Sequence, residues 1–209
     1  MTPDELLTST RSVRRRLDLE RPVPRDLITE CIQVAVQAPT GSNRQHWQWL
    51  VITDPDKKRF IGERYRAGWS AYNATARASY ADDDPRQEQL PRVVRSAQYL
   101  AEKMVEVPAM VIPCLEGRVE GQPNAVVASF YGSIVPATWS FMLAARLRGL
   151  GTAYTTLHLP YEREVAEHLG VPYDRYTQAA LLPVAYYTGD TFRPAHRLEL
   201  ESIVHWEAW

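Results

Sequence analysis

Between Ala125 and Leu150 the chain carries Val126, Val127, Phe130, Tyr131, Ile134, Val135, Trp139, Phe141, Met142, Leu143 and Leu147 with almost no polar face. A helix that is apolar nearly all round has to be covered on every side. Its cover is either the chain's own core or a second subunit, and the pattern fits both. Pro136 lies inside the segment, removes one backbone hydrogen bond, and predicts a kink or a division into two helices.

Around this segment the apolar spacing predicts helices near residues 3–15, 24–38, 55–77, 87–104, 124–149 and 161–169. Strands are predicted near 47–53, 108–115, 153–158 and 179–187. Strands interleaved with helices argue for a layered α/β or α+β sandwich. With 209 residues, 45% of them hydrophobic, the chain is expected to form one domain with a real core. The least core-like stretch, Ala78–Gln89, centres on Asp82-Asp83-Asp84-Pro85 and reads as a loop or lid, not a domain boundary.

A net charge of −1 gives no argument for a nucleic-acid or anionic-membrane partner, and the basic residues at 11–16 are a local patch. Cys31 and Cys114 each sit in an apolar run, which suggests core residues rather than a disulfide framework or a metal site. A reducing, cytoplasmic setting is therefore expected. The acidic start of the chain lacks an apolar signal-peptide core, and no stretch reads as an uninterrupted membrane span.

The run Ala38-Pro39-Thr40-Gly41-Ser42-Asn43-Arg44-Gln45-His46-Trp47 ends an amphipathic helix built on Leu27, Ile28, Cys31, Ile32, Ala35 and Ala38, and opens a strand. So many hydrogen-bonding groups at one junction either satisfy their own turn geometry or hold a planar polar cofactor. Gly41 permits close backbone approach. If the first helix persists, Arg11, Arg14 and Arg15 share a face, either as a fork for a phosphate or as a solvated basic helix end. Arg66, Arg86 and Arg92 in the middle of the chain are candidates for reading a nucleotide 2′-phosphate, or for no role. The five histidines form no pair at helical metal spacing; His158 either faces a substrate cavity or is structural. Rossmann, P-loop, nucleophile-elbow and His-Glu-x-x-His motifs are absent.

Taken in order, four segments resemble the FMN-dependent nitroreductase family: Arg11-Ser12-Val13-Arg14-Arg15-Arg16, the Ala38–Trp47 run, Gly149-Leu150-Gly151-Thr152-Ala153-Tyr154-Thr155-Thr156-Leu157, and Phe192-Arg193-Pro194-Ala195-His196-Arg197-Leu198. The resemblance implies an α+β fold, a three-layer α-β-α sandwich with a mixed central sheet. It further implies an intertwined homodimer with flavin sites at the subunit interface, and a C-terminal extension bearing Trp206 and Trp209 that wraps onto the partner. FMN would be held at its phosphate and pyrimidine edge by Arg11, Ser12, Arg14 and Arg15. Pro39, Thr40, Gly41 and Asn43 would meet the ribityl chain and ring, Tyr154, Thr155, Thr156 and Leu157 the dimethylbenzene and N5 edge, and Arg193 and Arg197 would complete the phosphate clamp.

The implied activity is a ping-pong hydride transfer from NAD(P)H through flavin N5 to nitroaromatics, quinones or similar small acceptors, with no catalytic side chain and no metal. Positive charge from Arg14 or Arg15 beside the flavin would stabilise its anionic reduced form. Two departures are visible: Leu17 follows three basic residues where the family has two, and Ala195 stands where a lysine is common. Iodotyrosine deiodination and oxygen-dependent FMN fragmentation belong to the same fold, but the deiodinase lid sequence Glu-x-x-x-Tyr is absent. A flavin-binding storage or sensor protein without turnover is the reading from another class.

Overall fold

The computed structural model describes residues 1–75, 79–81 and 83–209. In chain order the elements are α1 (Pro3–Ser9), α2 (Arg25–Ala35), β1 (Trp47–Ile52), α3 (Pro55–Thr75), α4 (Pro85–Lys103), β2 (Ala109–Glu116), α5 (Asn124–Leu147), β3 (Leu150–Thr152), α6 (Glu162–Leu169), β4 (Tyr176–Gln178) and β5 (Leu182–Tyr186).

β2 shows why the layers form. Every residue from Ala109 to Leu115 is buried, as expected of a strand covered on both faces. Met110, Ile112 and Cys114 point into a core shared with Ile61 and Tyr65 of α3 and Leu100 of α4. Ala109 and Val111 point the other way, against Cys31 of α2 and Phe141 and Ala145 of α5. Helices therefore cover both sides of the sheet, and the expected α-β-α sandwich is present.

The sheet order is β1-β2-β5-β3, with β4 also paired to β2. Expected as mixed, it is antiparallel at every strand pairing among the described residues. The chain path explains this. The α3–α4 helix pair brings β2 back to the end where β1 finished, and β5 inserts between β2 and β3, so no two parallel strands touch.

Three predicted elements are redrawn. The helix expected over 3–15 stops at Ser9, where the Ser9 and Thr10 hydroxyls donate to the Glu5 and Leu6 carbonyls at 2.5 and 2.6 Å. The following segment instead joins the sheet edge: Val13 N–H donates to Thr152 O at 2.8 Å and Asp18 N–H to Tyr186 O at 2.7 Å. The strand expected at 153–158 lies earlier, as β3, and only Thr155 bridges back to Leu181. The single strand expected at 179–187 is two. Pro113 in the middle of β2 has no N–H to donate on the side where its carbonyl accepts from Ala179 at 2.9 Å, so the ladder breaks between β4 and β5.

The long apolar helix is undivided, since α5 runs through Pro136. Ser133 and Thr138 hydroxyls donate to the carbonyls four residues earlier on either side of the proline. Contrary to the membrane-span expectation, α5 is long and apolar enough to cross a bilayer, yet it packs along the sheet. Its outer side is uncovered: Val126, Val135, Trp139 and Leu147 are 39–56% exposed. α4 begins at Pro85, capped by the Asp84 carboxylate, which shortens the expected loop; the expected helix end at 77 and loop start at 78 lie outside the described residues.

Candidate functional site

A cavity of about 730 Å³ opens on the α3–α4 side of the sheet. Tyr154, Thr155, Thr156 and Leu157, where the chain leaves β3, form one side of it. Facing them are Tyr65, Trp69 and Tyr72, spaced i, i+4, i+7 on α3, and Leu90, Val93 and Val94 of α4. Gly68 makes the close approach possible. A Cβ there would lie 1.8 Å from the Leu157 carbonyl oxygen, so only glycine lets the α3 backbone rest on this ledge.

The charged groups lining the cavity are basic. Arg14, Arg86, His196 and Arg197 contribute, and no Asp or Glu does among the described residues. Arg86 is engaged, with Nη2 2.5 Å from Asp84 Oδ2 and its guanidinium 4.4 Å from the Tyr80 ring centre. Arg14 is half-buried and makes no ion pair among the described residues; burial pushes its pKa down, the mark of a cation short of solvent and of a counter-charge. Among the described residues Arg197 makes one hydrogen bond, to the His196 carbonyl at 3.2 Å. Burial also pushes the Tyr65 phenol up to about 12, so it is a neutral hydrogen-bonding group at any ordinary pH.

The two threonines of the ledge differ. Thr155 is buried and donates its hydroxyl to the Leu181 carbonyl at 2.6 Å, whereas Thr156 is exposed on the cavity side. Tyr154 Oη donates to the Ala179 carbonyl at 3.3 Å. His158 does not line the cavity. It is fully buried beside Gln178, neither ring nitrogen has a hydrogen-bond partner among the described residues, and burial depresses its pKa to about 4; of the two sequence readings the structural one holds.

Of the remaining sequence candidates, several lie elsewhere. With the first helix ended at Ser9, Arg11, Arg14 and Arg15 do not share a helical face: Arg11 donates to the Arg193 carbonyl at 3.3 Å, and Ser12, Arg15 and Arg193 are exposed and do not line the cavity. Arg66 is spent on the Glu102 carbonyl at 3.1 Å, tying α3 to α4, and Arg92 is exposed. Pro39, Thr40, Gly41 and Asn43 are on the α5 side, where Gly41, Ser42, Arg44 and His46 line a second hollow of about 380 Å³ with Ser129, Phe130 and Ser133 of α5. The turn there is internally braced: Asn43 Oδ1 accepts from Gln45 Nε2 at 2.9 Å, and Ser42, Asn43 and Gln45 all adopt positive φ. Sequence reading missed the Tyr65–Trp69–Tyr72 stripe, although its helical spacing next to Gly68 was there to be read.

Comparisons with known proteins agree with this geometry. The nitroreductase family profile matches residues 7–186. The chain is 28% identical over 208 residues to an NADH dehydrogenase of Thermus thermophilus, covering 94% of this chain and 91% of the relative. Among solved structures, oxidised iodotyrosine deiodinase bound to FMN and 3-iodo-L-tyrosine superposes with a TM-score of 0.73 at 22% identity over 99% of both chains. A variant of the FMN- and NADPH-dependent nitroreductase NfnB from Sphigopyxis sp. strain HMH gives 0.70 at 21% identity over the whole of both chains. With the family profile matching across most of its length, on a sandwich of this topology, the chain belongs to the nitroreductase family.

Proposed function

We propose that residues 1–209 form one FMN-binding unit of a cytoplasmic NAD(P)H-dependent oxidoreductase that reduces nitroaromatics, quinones or similar electron-poor acceptors. The observation that carries this reading is a pair of cations, Arg14 and Arg197, that among the described residues have no carboxylate partner, beside a ledge of backbone and short side chains whose described cavity neighbours include no acidic residue. That donor set fits a phosphorylated flavin. Arg14 and Arg197 would take its charged groups, and Thr156 with the 154–157 backbone would meet its ring. FMN held there would supply hydride-transfer chemistry between reduced nicotinamide and the acceptor.

The chain's own residues bind, orient and exclude water. Trp69, Tyr72, Leu90 and Val93 offer an apolar, aromatic face on which a planar acceptor can stack. Arg14 would keep positive charge beside the ring edge, where reduction adds negative charge; Arg15, expected to share this role, is exposed and does not line the cavity. No side chain is assigned a catalytic proton transfer. The deiodinase lid sequence Glu-x-x-x-Tyr is absent from the sequence, which favours nitro or quinone acceptors over deiodination.

The same reading includes a homodimer. The motif residues Gly41 and Ser42 face a hollow on the α5 side, separate from the cavity that holds Arg14, and α5 leaves an apolar side uncovered beside it. Pairing two chains through α5 would cover Trp139 and its neighbours and bring one chain's 40–43 turn to the other's ledge.

The test is an absorbance spectrum of the purified protein before and after anaerobic NADPH or NADH, with the released cofactor identified by mass. Flavin bands that bleach with one nicotinamide support the oxidoreductase. Flavin that stays oxidised with both donors supports a storage role, and protein that stays colourless after incubation with FMN refutes the cofactor.

A further inference from the structure

The basic N-terminal segment holds more arginines than the cavity uses, and Arg16 has a different occupation. Its Nε donates to the Thr188 carbonyl at 2.6 Å and its Nη1 to the Thr191 carbonyl at 2.8 Å. Its guanidinium carbon stands 4.4 Å from the centre of the Phe192 ring. Arg146, near the end of α5 and only 8% exposed, approaches the same ring at 3.7 Å and donates Nη1 to the Tyr187 hydroxyl. Tyr187 and Phe192 meet edge to face with centres 4.8 Å apart.

Neither arginine makes an ion pair with a carboxylate among the described residues. Carbonyls, a phenol and ring faces surround them, an arrangement that suits the planar guanidinium and that a lysine cannot reproduce, while Arg16 Nη2 and Arg146 Nε are buried with no hydrogen-bond partner among the described residues. The turn between the two aromatics is shaped to the same end. Gly189 has φ +74°, and a Cβ there would stand 3.0 Å from Arg16 Nη2. Beyond Phe192, the Arg11 contact to the Arg193 carbonyl continues the line of attachment, and five residues after Phe192 the chain presents Arg197 at the cavity.

We propose that Arg16 and Arg146, by gripping Phe192 between β5 and the cavity, are positioning residues for the cofactor: they fix where the C-terminal segment leaves the sheet and thereby hold Arg197 at the cavity. Neither touches the cofactor. The inference rests on the FMN reading above and extends it to residues outside the cavity.

The test measures FMN dissociation constants by flavin fluorescence for the intact protein and its variants. Phe192→Leu keeps apolar bulk and removes the ring; it weakens binding at least tenfold, whereas Phe192→Tyr, which restores a ring face, stays within twofold of the unaltered protein. Arg16→Lys keeps the charge but loses the two-carbonyl fork, and it weakens binding at least fivefold. The double variant Phe192→Leu/Arg197→Ala binds no more weakly than Arg197→Ala alone, because the clamp acts only through Arg197. Independent multiplication of the two single losses, or a Phe192→Leu protein with unaltered affinity, overturns the proposal. Phe192→Leu protein that does not fold, together with Arg16→Lys protein of normal affinity, overturns it as well. If the unaltered protein binds no FMN, the cavity reading itself falls and carries this inference with it.

Discussion

Gly68→Ala is the perturbation whose effect follows most directly from the coordinates. The added methyl would lie 1.8 Å from the Leu157 carbonyl oxygen and 2.9 Å from its carbonyl carbon. Ordinary van der Waals contact begins near 3.4 Å, so α3 and the ledge must part by roughly 1.5 Å. Both sides of the contact are backbone, so no side chain can rotate away. Overpacking a filled interior costs about 1–3 kcal/mol, and a backbone-to-backbone clash belongs at the upper end, near 3 kcal/mol. For a chain of this size that corresponds to a fall in Tm of roughly 6–12 °C.

The displacement also falls on the cavity, because Trp69 follows Gly68 directly and faces the ledge. FMN affinity therefore drops together with stability. Thermal unfolding of FMN-free protein at fixed concentration reads the first effect and a fluorescence titration the second. Ser70→Ala, at an exposed position of the same helix, serves as control and stays within about 0.5 kcal/mol. A Gly68→Ala protein within the same margin would refute the close-approach argument.

Arg14→Gln lowers FMN affinity by about 10- to 100-fold, from the loss of a charged hydrogen-bonding partner of about 1.5–3 kcal/mol, while Arg15→Gln leaves it unchanged in the same titration. Arg118 and Glu162 are a largely buried pair, 2.9 Å apart with side chains 17% and 13% exposed, so Arg118→Ala strands the Glu162 carboxylate and costs about 3 kcal/mol in a urea unfolding curve. His158 has a folded-state pKa near 4 against an ordinary value of 6.5, so between those values the unfolded chain binds the extra proton. Stability is unaffected by this group above pH 6.5 and falls progressively toward pH 4, by about 3 kcal/mol in all; His158→Leu flattens that part of the pH–stability profile. If two chains pair through α5 as proposed, Trp139→Glu places charge in that contact, and analytical ultracentrifugation finds dimer for the unaltered protein and monomer for the variant.

The sequence was most legible where one interaction dominated. The β2 run and the amphipathic spacing of α2 announce their elements because burial alone decides them. The end of α1 was not legible, because it is set by distant β3 and β5 carbonyls that capture the Val13 and Asp18 amides. The β4–β5 break was written in Pro113, but reading it required knowing which neighbour that residue's carbonyl faces. At the site, the family pattern pointed to Arg14, the 154–157 ledge and Arg197, all of which line the cavity. It also grouped Arg11 and Arg193 with them, and nothing local distinguishes an arginine that meets solvent or a carbonyl from one that meets the cavity. The aromatic stripe of α3 was missed because Tyr65 and Trp69 also belong to the core, and only the packing of α3 against the ledge and α4 shows that the same rings line the cavity.

The last strand of the sheet closes at Tyr186, whereas Arg197 reaches the cavity only from the segment that follows. Folding and loading are thereby separated in time during synthesis. A ribosome that has released β5 has already exported every strand found among the described residues, but the pocket has yet to receive Arg197. A nascent or clipped chain lacking that segment would pass as folded by any test of secondary structure and still hold its cofactor poorly. Occupancy by flavin then becomes a check on the segment beyond the last strand, made where Arg14 and Arg197 line one cavity.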